Sequence, residues 1–252
     1  MTSDTCDHRD AVLARADDAL VLGHRLSEWC GHAPMPEEDL ALANIGLDLI
    51  GQATALYEHA ATLDAAGRSA DDFAFQRDAA AFRNLALVEQ PNGDFAATMV
   101  RLLVYAGFAR AMWAELTGST DAALAAIAAR SVPEVAYHWR HAAEWVIRLG
   151  DGTAESHRRA QAALDEVWRF TDEMFTVPAG EIGLIEAGVV VDPARVRAAW
   201  RGALDAVFDQ ATLLPPMAVR GGAARGGQPS AHRRELLATM QSVARAHPGA
   251  AW

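Results

Sequence analysis

Leu20–Tyr57, LVLGHRLSEWCGHAPMPEEDLALANIGLDLIGQATALY, decides the fold. It holds two helical runs joined by a short turn. In the first run Leu22, Leu26, Trp29 and Cys30 recur at helical spacing and form an apolar stripe, with Glu28 beside it. In the second run Leu40, Ala43, Leu47, Ile50 and Leu56 keep the same period. Asn44, Asp48 and Gln52 repeat every fourth residue next to them, so a polar row lies within an apolar face. Such rows serve in helix bundles either as hydrogen-bonded core polars or as the material of a site. Between the runs, Pro34 and Pro36 cannot continue a helix, and Glu37, Glu38 and Asp39 place negative charge at the next helix N-terminus.

Outward from this stretch the same grammar holds. A loose tail is expected over residues 1–8 and a first helix from about Asp10 to Gly31, with Arg15, Asp17 and Arg25 on its charged face. The second helix is predicted to run to about Ala66, with Gly67 as C-cap, a length of roughly 30 residues or ~45 Å. A third is predicted over Asp71–Glu89, ending at the turn Pro91-Asn92-Gly93. Asp94 caps a fourth, Phe95–Thr117, apolar almost all round and so expected to be buried on several sides. Asp121 caps a fifth, Ala122–Leu149, which Pro133 is expected to kink or restart. A sixth spans Ala154–Phe175, and residues 176–192 read as an extended connector. Asp192-Pro193 opens a seventh, ending near Thr212. Residues 213–230 are rich in Gly and Pro and read as a mobile loop. Ser230 then caps a last helix, Ala231–Ala246. The chain, residues 1–252, reads as one all-α domain.

The composition excludes several functions. Net charge is −11, which repels a phosphate backbone, so nucleic-acid binding is not expected. All 22 basic residues are arginine, which rules out a Schiff-base or P-loop lysine. Cys6 and Cys30 form no disulfide framework, and the polar start is no signal peptide, so a cytoplasmic location is expected. No uncharged apolar run is long enough for a membrane span. The seven tryptophans fall at core-like positions and suit packing better than a stacking platform.

Inward carboxylates and histidines would make such a bundle a di-iron carrier. That site needs a Glu from each of two helices and Glu-x-x-His from each of two others. The full pattern is missing. Glu134, His138 and His141 share a helix face but lack the spacing, and His24 with Glu28 reads as a simple pair.

The strings LGHRLSEWCGH, ALANIGLDLIGQA, FRNLALVEQPNGDFA, EVAYHWRHAAEWVIRLGDGT, LDEVWRF and VDPARVRAAW resemble the C subunit of the multicomponent phenylacetyl-CoA epoxidase, the ring 1,2-monooxygenase of aerobic phenylacetate breakdown. The resemblance runs from about Leu20 to Trp252. It implies a ferritin-like fold and a non-catalytic role in a hetero-oligomer. The implied partners are a catalytic A subunit that carries the di-iron centre and the phenylacetyl-CoA site, a small B subunit, and a reductase that passes electrons from NADPH through flavin and an iron–sulfur cluster. Aligned on the catalytic relative, the ligand positions are Glu28, Leu49, Gln52, Tyr105, Val135 and His138. Only Glu28 and His138 retain ligand chemistry, and both are expected as relics hydrogen-bonded in the bundle core. The resemblance therefore implies no metal, cofactor or catalytic residue in this chain. Arg220, Arg225, Arg233 and Arg234 are candidates to meet an anionic CoA tail, although a merely solvated, solvent-facing loop is the reading the sequence favours. The other reading of the fold, a self-sufficient di-iron oxygenase or ferroxidase, is opposed by the missing Glu-x-x-His pairs.

Overall fold

The computed structural model describes residues 3–217, 225 and 227–250, with side chains from residue 6 onward. Among the described residues every regular element is helical, as in a ferritin-like bundle. The helices are α1 (Ser3–Ser27), α2 (Pro36–Thr62), α3 (Ala86–Glu89), α4 (Phe95–Leu116), α5 (Ala122–Gly150), α6 (Ala154–Trp168), α7 (Ile182–Glu186), α8 (Pro193–Ala211), α9 (Ala231–Met240) and α10 (Ser242–Ala246). They gather into two compact units. One comprises Met1–Pro91, Ala179–Leu184 and Arg225–Trp252; the other comprises Asn92–Pro178 and Ile185–Ala224.

In the first unit α1 and α2 form an antiparallel hairpin. Gly23 and Gly46 sit at its closest approach: a Cβ on Gly23 would lie 3.1 Å from the Gly46 carbonyl oxygen. The expected loose tail is helical from Ser3, and from His8 and Arg9 onward α1 is held by the end of α2 and the turn after it, with His8 edge-on to His59 at 5.9 Å and Arg9 paired with Asp64 at 2.9 Å. α1 stops at Ser27 rather than Gly31; the chain then turns through Trp29 N–H to Leu26 O and Cys30 N–H to Ser27 O, with Gly31 at φ 80°. From Ala11 to Gly23 the helix is buried on all sides, including Arg15, Asp17 and Asp18, where a charged outer face was expected. α2 ends at Thr62, and Gly67 occupies a later turn at φ 71°. The buried face of α2 is Leu42, Ile45, Leu49, Gln52, Leu56, Tyr57 and Ala60. Leu40 and Leu47, expected inside, are 68% and 65% exposed. This helix has two apolar stripes, and period alone does not say which one turns inward.

The predicted third helix, 71–89, breaks into a π-turn (Asp72–Gln76), a 3₁₀ turn (Ala79–Ala81) and α3. Its backbone groups find side-chain partners elsewhere. Arg83 N–H and Leu85 N–H donate to Asp17 and Asp18, each at 2.7 Å. The carbonyls of Phe73 and Ala81 accept from Arg77, and those of Ala74 and Arg77 from Gln241. Buried backbone groups need partners, and here tertiary contacts replace the helix ladder. The same Gln241 divides the last predicted helix into α9 and α10.

In the second unit α4 and α5 pair antiparallel, and α8 packs on both. α4 is buried without a break from Thr98 to Ala109, as its composition demands. α2 and α4 are each long and apolar enough by composition to cross a bilayer; burial within the protein accounts for α4 far more fully than for α2. Gly107 allows Trp139 and Trp200 to close on α4, and Trp200 Nε1 donates to Val104 O at 3.0 Å. Trp168 stacks on Trp200 at 5.6 Å, so these tryptophans are packing residues. α5 passes Pro133 as one helix. Asp94, Asp121, Asp192 and, in the first unit, Ser230 all cap as predicted, and Thr153 caps α6. α6 ends at Trp168, short of Phe175, and a 3₁₀ turn follows at Asp172–Phe175. The connector contains α7 and is then tied down by Thr120 N–H to Gly188 O and Ser119 Oγ to Val189 O. The predicted mobile loop begins in an anchored stretch, since Leu214 exchanges two hydrogen bonds with Gln161. Residues 218–224 and 226 of that loop, and Arg220 with them, lie outside the described residues.

Candidate functional site

The six aligned positions fall three to each unit. In the first, Glu28 lies past the end of α1. Its side chain is 45% exposed and paired with Arg25 at 2.7 Å. A core relic was expected there; because α1 ends one residue earlier, Glu28 is carried out of the helix into a solvent-facing turn. Leu49 and Gln52 are buried on α2. Burial lowers the His24 pKa, with the Glu28 charge opposing.

In the second unit Tyr105 is buried on α4, and Val135 and His138 on α5. His138 is 2% exposed, edge-on to Tyr137 at 6.3 Å. Glu134 turns toward Arg130 at 4.0 Å, and Glu115, near the end of α4, pairs with Arg195 at 3.0 Å. Leu49 and Val135 carry no donor atom, and Gln52 and Tyr105 offer no carboxylate. Two bridged irons need four carboxylates and two histidines, so these side chains do not fit that group.

The first unit instead holds a buried charge network. Asp17, fully buried, accepts from Arg77, from the Tyr57 hydroxyl at 2.6 Å and from Arg83 N–H. Arg77 also lies 4.2 Å from the Phe82 ring centre. Burial disfavours its charge, but Asp17 and Tyr57 outweigh this and hold the guanidinium pKa above its usual value. Burial, then the Asp17 charge, pushes the Tyr57 phenol well up. Asp18 pairs with Arg225 at 2.9 Å and accepts from Leu85 N–H; burial nevertheless pushes its carboxyl up to about 6. Glu181 pairs with Arg15 at 3.1 Å; burial raises its pKa, and Arg15 more than reverses that.

Two of the arginines proposed for a CoA tail belong to this network. Arg225 reaches Asp18, Ala14 O and Arg83 O. Arg233, buried, donates to Phe82 O and Gly227 O and lies 3.4 Å from Glu89. Arg234 donates to Pro229 O. Arg225 and Arg233 therefore hold the C-terminal segment to α1 and to residues 72–89, and are not presented to a ligand. Sequence reasoning missed this network. The signal available was Arg15, Asp17 and Asp18 set inside the otherwise apolar run AVLARADDALVL.

The chain matches, over residues 2–252, the family model described as phenylacetic acid catabolic protein. It is 45% identical over 243 residues to the C subunit of the 1,2-phenylacetyl-CoA epoxidase of Escherichia coli K12, covering 96% of this chain and 97% of that protein. With a match of that extent, the chain belongs to the phenylacetic acid catabolic protein family.

Proposed function

We propose that this chain is the structural, non-catalytic subunit of a phenylacetyl-CoA 1,2-epoxidase, active in the cytoplasm in aerobic phenylacetate catabolism. Near-full-length identity of 45% to a protein named as the C subunit of that enzyme carries the reading. The side chains at the aligned ligand positions support the non-catalytic part: Leu49, Gln52, Tyr105 and Val135 stand where a di-iron site needs carboxylates and histidine. In this reading the di-iron centre and the CoA-thioester site belong to a catalytic A subunit. A small B subunit completes the complex, and a separate reductase supplies electrons from NADPH through flavin and an iron–sulfur cluster. This chain's work is to stabilise its catalytic partner and to support that partner's CoA-thioester site. The buried network suits that work, because it fixes a helical scaffold without leaving charge free for chemistry. The test is reconstitution. Epoxidation of phenylacetyl-CoA by the A and B subunits with reductase should require this chain, and His138→Ala should leave the turnover of correctly assembled complex unchanged. Full turnover without this chain would refute the proposal.

A further inference from the structure

We propose that the outer face of α2, from Met35 to Thr54, is a docking ridge for a helix of a different subunit, one whose apolar stripe is bordered by arginine or lysine. The inference rests on reading the chain as a subunit of an assembly. Three large apolar side chains crowd this one stretch: Met35, Leu40 and Leu47 are 42%, 68% and 65% exposed. Leu40, Ala43, Leu47, Ile50 and Thr54 follow one another at spacings of three and four, the seam by which one helix receives another. Gly51 interrupts the seam. A Cβ there would meet nothing within 4 Å among the described residues, so no packing among them accounts for a glycine that weakens the helix relative to alanine. A second helix crossing closely at Gly51 does account for it.

Charge selects the partner. Along Met35–Thr54, Glu37, Asp39 and Asp48 lie outside the core while Glu38 is buried, and the stretch carries no arginine, lysine or histidine. A second copy of this chain, itself at −11, would set these acids against their own kind across a twofold interface. An anionic lipid surface meets the same repulsion. A foreign helix flanked by basic side chains complements the ridge and would steer by charge.

The test co-expresses the full chain with the catalytic di-iron subunit and follows co-elution by size exclusion. The variants are Gly51→Leu and Leu47→Glu, with Val243→Glu as a control at another exposed apolar residue (55% exposed). Both ridge variants should lose the complex, while each isolated variant keeps the wild-type circular dichroism and melting temperature. Val243→Glu should co-elute as wild type does, and raised salt should weaken the wild-type complex. Co-elution of both ridge variants at the wild-type level would overturn the inference alone. Failure of the wild type to co-elute would overturn the subunit reading and the ridge with it. A dimer of the isolated chain that Gly51→Leu abolishes, or flotation with anionic phospholipid vesicles that Leu47→Glu abolishes, would overturn the choice of partner.

Discussion

Replacing Asp17 by Asn keeps the shape of the side chain and removes its charge. Arg77 would then remain buried with its charge uncompensated. Its other partners are neutral: the carbonyls of Phe73 and Ala81, at 2.6 and 3.1 Å, and the Tyr57 hydroxyl at 3.3 Å. Removing one partner of a buried ion pair costs about 3–5 kcal/mol. Against a total stability of about 5–15 kcal/mol, that is a large fraction. The double variant Asp17→Leu with Arg77→Met removes both charges of this pair and strands neither, so it should be less destabilised than the sum of Asp17→Leu and Arg77→Met alone by about 2 kcal/mol or more. It should still fall below wild type, because Arg83 N–H and the Phe73 and Ala81 carbonyls lose their partners at roughly 1 kcal/mol each. Urea denaturation of wild type, both single variants and the double variant, compared by midpoint at constant slope, measures these terms. Hydrogen exchange in Asp17→Asn should accelerate first at Arg83 and Leu85, whose amides the aspartates hold. A loss of less than about 1 kcal/mol in Asp17→Asn would refute the claim that this pair organises the first unit.

Other outcomes follow from the same geometry. Asp18 titrates near 6 when folded against an ordinary value of 3.8, so the folded chain holds its proton more tightly than the unfolded chain. Stability from this group is therefore greatest below about pH 4 and falls as pH rises to about 6, by about 3 kcal/mol in all. Glu181 acts in the opposite sense, losing its contribution as pH falls through its depressed folded value. The difference in unfolding free energy between wild type and Asp18→Asn should thus grow in favour of wild type as pH drops from 6 to 4; a difference independent of pH contradicts the assignment. Gly150→Ala would drive a Cβ into the Ala211 carbonyl oxygen, a backbone atom that cannot swing aside, so α5 and α8 must part at that end. A loss of about 1–3 kcal/mol is expected, read as a lowered melting temperature. His138→Ala should cost about 2 kcal/mol as a buried truncation and leave the iron content of the isolated chain unchanged.

Caps and turns were plain in the sequence because they are local: Asp94, Asp121, Thr153, Asp192 and Ser230 each satisfy amides two or three residues away. The fully apolar α4 also announced its burial. Three features were hidden because they depend on distant residues. Residues 71–89 have helical period, yet Asp17, Asp18 and Gln241 hold their backbone in another form. The arginines near residue 230 read as solvent-facing until the carboxylates of Asp18 and Glu89 are brought beside them. On α2 both stripes are apolar, and only the position of α1 decides that Leu42 and Leu49 go inside while Leu40 and Leu47 stay out. The ligand positions were half legible. Residue identities told that donors are lost, but the early end of α1, which moves Glu28 into a turn, is a matter of one residue that periodicity does not resolve.

The most direct test of the central claim is the iron content of this chain, expressed alone in iron-supplemented medium and again in complex with the catalytic subunit. Well under one iron per chain is expected when it is alone, and iron in the complex should follow the amount of catalytic subunit. A full di-iron complement bound to the isolated chain would contradict it, and would make this protein a catalyst in its own right.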